Sequence, residues 1–270
     1  MKGGADVTVA VTSIPIEEAH RFGVVNTDDT NRIQGFTEKP RIPQSNLASM
    51  GIYVFWREAL VRRLKEDALD SSSSHDFGEA VVPRMVKVDK VHAYKFDGYW
   101  RDVGTVESYY QANIELVSKS PPFSLDAAWP IFARQEAPSA VTESGLIGNS
   151  IISSGCIIRG RLQDSVLSAG VRIEPEAAVR ESVVMANCVI GRGSVVDRCI
   201  LDEEVTIGEC SYVGFGASPM PGNWDVTVVG RGATIPPRTA IGRNCKICPG
   251  VGAADFRTSV APAGTVVSRR

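Results

Sequence analysis

The sequence predicts an α/β domain followed by a parallel β-helix of hexapeptide repeats. Two observations carry this. In the second half, aliphatic residues return every six positions: Leu167, Ile173 and Val179, then Val184, Ile190 and Val196, then Leu201, Ile207 and Val213. A helix needs a period of 3.6 and a hairpin alternation by two, and neither fits. In the first half, β-branched runs are separated by stretches with helical spacing. Hydrophobic residues make up 43% of the 270 positions, enough to fill a core.

The totals also exclude some functions. Net charge is −2, from 29 basic and 31 acidic residues, so no basic stripe argues for nucleic acid. No apolar run approaches the roughly 18 residues of a membrane span. Met1-Lys2-Gly3-Gly4-Ala5-Asp6 shows no apolar export segment, so a cytoplasmic location is expected. Six cysteines fall at 156, 188, 199, 210, 245 and 248 and read as reduced, buried packing residues. Cys245-Lys246-Ile247-Cys248 lacks the second pair or histidines that a zinc site requires.

In chain order, Asp6-Val7-Thr8-Val9-Ala10-Val11-Thr12 reads as a buried strand. Pro15 ends it, and Glu17-Glu18-Ala19 suggests a helical turn. Phe22-Gly23-Val24-Val25 and 32–38 form a hairpin around the turn cluster Asp28-Asp29-Thr30-Asn31. Glu38-Lys39-Pro40 closes it, and the proline is expected to hold Lys39 extended. Neighbours on an extended strand face opposite ways, so Glu38 and Lys39 would need a kink to enter one pocket. An ammonium suits a phosphate and a carboxylate suits sugar hydroxyls. A solvated ion pair at a strand end is the competing reading, because exposed Lys and Glu are the norm.

Residues 47–55 read as a second buried strand, with Ser49 at its entrance and Gly51 allowing close approach. Residues 57–67 have helical spacing, with Ala59, Leu60 and Leu64 as the apolar face. Ser71-Ser72-Ser73-Ser74 reads as a flexible loop. Asp76 is a candidate N-cap, and His75 reads as structural rather than as a pocket residue. Residues 91–96 form a strand that leads into Gly98-Tyr99-Trp100-Arg101-Asp102-Val103-Gly104-Thr105. An acid between an arginine and glycines at a strand end is a place for phosphate or metal chemistry. Residues 106–118 form an amphipathic helix.

The repeat starts near residue 146. The sets beginning at 167, 184 and 201 are offset by a constant seventeen. A six-residue step is one short strand and one tight corner, and three steps close one triangular coil. After a Gly/Pro loop at 214–223 the beat resumes at Val229, Ile235, Ile241 and Ile247. This β-helix contains no histidine, which argues against a repeat acyltransferase with a histidine base.

Four segments resemble the ADP-glucose pyrophosphorylase (glucose-1-phosphate adenylyltransferase) family. They are Gly35-Phe36-Thr37-Glu38-Lys39-Pro40, Ser49-Met50-Gly51-Ile52-Tyr53-Val54-Phe55, His75-Asp76-Phe77-Gly78 and the stretch from Gly98 onward quoted above. Glu-Lys-Pro alone occurs across sugar nucleotidyltransferases; the other segments point to the adenylyl branch. The resemblance implies a partial, Rossmann-like nucleotidyltransferase domain at 1–120, a linker at 121–145 and a left-handed β-helix at 146–270. It implies the reaction of ATP with α-D-glucose 1-phosphate to ADP-glucose and diphosphate in glycogen synthesis, in a homotetramer that binds neither nucleic acid nor membrane. It gives Lys39 to the sugar phosphate, Glu38 and Ser49 to the sugar, Gly23 to the nucleotide sugar's path and Asp102 to Mg²⁺, a hard ion that takes oxygen ligands. The family's glycine-rich phosphate loop and its other metal aspartate have no counterpart after Met1. The chain is therefore expected to be N-terminally truncated and inactive by itself, with exposed sheet edges. A non-catalytic regulatory or assembly subunit of the same family is the alternative.

Overall fold

In a computed structural model the chain divides into two compact units, Met1–Trp100 and Arg101–Arg270. The structure describes residues 4–125, 141–142, 145–216 and 225–269.

The first unit is a five-stranded mixed sheet with strands β1 (Val7–Ser13), β2 (Gly23–Thr27), β3 (Ile33–Glu38), β4 (Leu47–Phe55) and β5 (Val91–Lys95), in the order β3-β2-β4-β1-β5. Helix α1 (Arg57–Ala68) and helix α2 (Val82–Val88) lie between β4 and β5 in sequence. They join Val7, Val9, Val11 and Ile33 in one core through Ala59, Val82 and Met85. The predicted turn after Pro15 is a 3₁₀ helix, Ile16–Arg21, and β2 and β3 form the predicted antiparallel hairpin.

Several expectations need correction. β4 is not buried throughout, because Ile52 and Val54 are 52% and 56% exposed. With Thr8, Ala10, Met50 and Tyr94 they line an open cavity of about 750 Å³. Strand neighbours point to opposite faces, and the helices pack on the face that carries Val9 and Tyr53. Leu64 on α1 is exposed, while Asp67 is buried in its place at the helix end. One sheet edge is less bare than expected: the Ala93 N–H on the outer side of β5 donates to Asn31 O at 2.8 Å, and Arg32 bridges to His92.

The β2–β3 turn is held by Asp28. Its Oδ1 accepts from the Thr30 hydroxyl at 2.6 Å, the Thr30 N–H and the Arg32 N–H, and its Oδ2 accepts from Gln34. These bonds, the Thr30 hydroxyl foremost, lower its pKa to about 2. A depressed carboxylate stabilises the fold above its unfolded pKa, and that stabilisation is lost as pH falls through the folded value. Asp28→Asn is therefore expected to flatten the stability of the chain between about pH 4 and pH 2. Acid titrations followed by circular dichroism check this, and parallel curves for the two proteins would refute it.

The second unit opens with helix α3 (Val106–Leu116), capped at Thr105 by a reciprocal bond with Ser108. Tyr110 is buried, and its hydroxyl donates to Glu181 O at 2.6 Å on the β-helix. Among the described residues the coils that follow form three parallel sheets of seven, seven and six strands, the left-handed parallel β-helix expected from the six-residue beat. Register stacks like on like. Leu162, Val179, Val196 and Val213 form one column; Ile158, Ile173, Ile190, Ile207 and Ile235 form another; Leu167, Val184, Leu201, Val229 and Ile247 form the third. All are at most 1% exposed, and this continuous burial is what each coil lacks alone. A hydroxyl ladder runs beside them: Ser150, Ser165 and Ser182 Oγ each accept the N–H of the next coil, at Ser165, Ser182 and Cys199.

Cys156, Cys188, Cys199 and Cys245 are buried as expected, and burial pushes the Cys188 thiol up to about 12. Cys245 Sγ donates to Pro262 O, so the CxxC pair sits in packing. Cys210 is the correction: it lies exposed at a left-handed corner. The loop at 214–223 falls outside the described residues from 217 on. Among the described residues no helix is long and apolar enough to cross a membrane.

Candidate active site

Four of the candidate residues, Gly23, Glu38, Lys39 and Ser49, lie in the first unit. β2 and β3 pair so that Gly23 lies opposite Glu38. The Glu38 carboxylate lies against bare backbone on two sides. A Cβ added at Gly23, or one added at Gly78, would sit 2.7 Å from Glu38 Oε2. Both positions must lack a side chain for the carboxylate to lie there.

Lys39 does not stay extended. Its N–H continues the ladder by donating to Phe22 O at 3.0 Å, yet its φ is +42°. The ladder pins the amide while the chain must reverse into Pro40, and the backbone turns through the left-handed region, which costs about 1–2 kcal/mol for a residue with a Cβ. This is the kink that an extended strand lacks. It brings Nζ to 3.6 Å from Glu38 Oε1, with the Lys39 side chain 66% exposed and Glu38 23% exposed. The two side chains form an ion pair on one side of the strand end.

Ser49 is buried on β4. Its Oγ accepts the Gly51 N–H at 3.3 Å, and the same hydroxyl acts on the Tyr53 phenol to lower its pKa. Burial raises the Tyr53 pKa foremost; the charges of Glu38 and Asp76 push the same way, and the Ser49 hydroxyl opposes them. The Tyr53 ring stacks on Phe77, with centroids 5.9 Å apart. The Asp76 side chain caps the next turn by accepting the Gly78 N–H at 2.7 Å and the Glu79 N–H at 2.9 Å. That turn, Phe77–Val81, is a single π turn leading into α2.

Glu38 thus links Gly23 and Lys39, and Ser49 and Tyr53 share its electrostatic surroundings. Sequence reading missed Tyr53, Phe77 and Gly78 as site residues and gave Asp76 only its capping role. The signal for Tyr53 was present, since 49, 51 and 53 share one face of a strand. No local signal placed Gly78 against Glu38, a contact between segments forty residues apart. Trp100 meets Phe22, whose carbonyl holds the Lys39 N–H, edge-on at 5.7 Å.

The boundary between the units falls inside the stretch from Gly98 to Thr105, and Asp102 belongs to the second unit. It is half-buried, and its carboxylate oxygens lie 3.1 and 3.3 Å from where a Gly104 Cβ would be. Arg101 pairs with Glu115 on α3. Among the described residues no three His, Cys, Asp or Glu side chains converge as a protein cage for a metal. A single carboxylate fits Mg²⁺ carried mainly by substrate phosphates and water, its usual mode in phosphoryl chemistry.

Comparison with known proteins yields two family matches. Residues 1–119 match the nucleotidyl transferase family, and residues 135–220 match the GlmU-like C-terminal hexapeptide family. The chain is 44% identical to a glucose-1-phosphate adenylyltransferase of Thermomicrobium roseum over 98% of its own length and 64% of that protein. It is 43% identical to the enzyme so named from Thermotoga neapolitana, over 99% of the chain and 66% of the relative. For the Acetivibrio thermocellus protein the figures are 39%, 94% and 62%. The chain thus spans somewhat under two-thirds of the length of these curated relatives.

Proposed function

This chain belongs to the glucose-1-phosphate adenylyltransferase family, and from that premise we propose that it supplies the sugar-phosphate side of a site forming ADP-glucose from ATP and α-D-glucose 1-phosphate. The observation that carries the reading is the paired Glu38 and Lys39, turned to one side of a strand end against the bare backbones of Gly23 and Gly78. Lys39 offers an exposed ammonium to the sugar's phosphate. Glu38 offers acceptor oxygens to ring hydroxyls. Ser49 and Tyr53 add neutral hydroxyls beside it, and Gly23 serves the nucleotide sugar by leaving the space in which the Glu38 carboxylate is seated.

In the proposed reaction a phosphate oxygen of glucose 1-phosphate attacks the α-phosphorus of ATP. The new O–P bond forms as the bond to the β-phosphate bridge breaks, and diphosphate leaves. Lys39 holds the attacking phosphate in place and offsets its charge, which lowers its repulsion from the triphosphate. Asp102 would hold Mg²⁺, which when bound supplies charge neutralisation at the phosphates. We assign the β-helix to assembly of a homotetramer. The product places the activity at the start of glycogen synthesis.

Calorimetric titration of glucose 1-phosphate into the 270-residue chain tests the reading. Saturable binding in the millimolar range or tighter is expected. Absence of saturation would overturn it. ATP- and Mg²⁺-dependent turnover, measured alongside, separates a complete catalyst from a chain that contributes the sugar-phosphate half or serves as an assembly subunit.

A further inference from the structure

We propose that the Asp67–Ser73–His75 bridge is a positioning device for the sugar-binding side of the pocket. This rests on the sugar-phosphate reading above and names residues that touch no substrate. Asp67 ends α1 and is 5% exposed. Its Oδ1 accepts the Ser73 hydroxyl at 2.6 Å, and its Oδ2 takes His75 Nδ1 at 2.8 Å. These two bonds, Ser73 first, lower its pKa. Ser73 Oγ also accepts the His75 N–H at 3.1 Å, which closes a small ring of bonds. A second clamp lies beside it: Asp70 accepts from the Ser72 hydroxyl and from Arg84 of α2, each at 2.6 Å. The serine run is therefore stapled at both sides, not the loose loop expected from its composition.

His75 is held at a φ of +55°. In the first unit the described non-glycine residues with positive φ are Asn31, Lys39 and His75. Asn31 sits in a hairpin turn that tolerates it. Lys39 adjoins Glu38 itself, and His75 lies three residues before Gly78, which walls the Glu38 carboxylate. Strained dihedrals persist where surrounding bonds over-determine them, and the ring through Asp67 does so at His75. The next residue is Asp76, whose carboxylate fixes the amides of Gly78 and Glu79. Gly78 in turn forms one wall of the Glu38 seat, and Phe77 stacks on Tyr53. A helix end thus sets, through one imidazole, where Glu38 and Tyr53 present their oxygens.

The test uses two variants of the full chain. Asn places an amide N–H close to where His75 Nδ1 stands, and Ala removes the donor. Hydrogen exchange without ligand reads the turn. In His75→Ala the Gly78 and Glu79 amides are expected to exchange on the order of tenfold faster, with Met85 and the β-helix amides unchanged, and His75→Asn to restore protection. In the titration with glucose 1-phosphate, His75→Ala is expected to weaken affinity roughly tenfold and His75→Asn to retain it. Unchanged exchange at Gly78 and Glu79 in His75→Ala overturns the proposal. So does an equal acceleration of Met85, which would mark a purely structural role, or an equal loss of affinity in both variants. If the unsubstituted chain binds no glucose 1-phosphate, the functional reading falls, and the exchange comparison still decides whether the bridge sets the turn.

Discussion

Lys39→Ala is expected to weaken glucose 1-phosphate binding by roughly 10- to 100-fold while leaving the fold intact. A hydrogen bond between charged partners contributes about 1.5–3 kcal/mol, and each 1.4 kcal/mol is a factor of ten. The substitution removes the cation that meets the phosphate. It also leaves the Glu38 carboxylate, 3.6 Å away, facing a dianion with no intervening positive charge. The effect on stability should be small, because the side chain is 66% exposed and exposed ion pairs contribute little. Lys39→Arg keeps the charge but exchanges a compact ammonium for a wide planar fork, so partial recovery is expected. Calorimetry reads affinity and thermal unfolding reads stability. Unchanged affinity in Lys39→Ala would remove Lys39 from the phosphate role.

The β-helix was legible because its signal is a long repeat. Any one six-residue step is weak, but Leu167, Val184 and Leu201 keep the same offset, and stacking turns that offset into a buried column. The strands and the hairpin of the first unit were legible for a similar reason, since alternation is local. The common side shared by Glu38 and Lys39 was not. It depends on one left-handed dihedral at Lys39, in a position where the following proline argues for extension. The seat of Glu38 depends on Gly23 and Gly78, which meet through sheet register and a turn, information that no local window contains. Composition also misled: four consecutive serines suggest a loose segment, yet carboxylates at Asp67 and Asp70 bind two of their hydroxyls. The residues with chemistry were visible as motifs. Their mutual geometry was set by contacts distant in sequence.

Gly23→Ala is expected to damage both stability and the proposed sugar contact. The new Cβ would lie 2.7 Å from Glu38 Oε2, 2.7 Å from Phe36 Cζ and 3.0 Å from Phe36 Cε1. A carboxylate alone could swing aside cheaply. Here Gly78 stands against the same oxygen, so the open direction leads away from the pocket. Phe36 is 9% exposed and belongs to the core shared by β1, α1 and α2, so it cannot yield without repacking. Overpacking of this kind costs about 1–3 kcal/mol. The midpoint of thermal unfolding should therefore fall by several degrees. Glucose 1-phosphate affinity should drop by at least about tenfold as Glu38 leaves its seat. Gly35→Ala, on the partner strand of the same hairpin, is the control. Its nearest neighbour would be Asn26 Nδ2 at 3.6 Å, an ordinary contact, so neither quantity should move much. If the two variants are indistinguishable in midpoint and affinity, the bare backbone at Gly23 is not what seats Glu38, and the glycine has no part in the pocket.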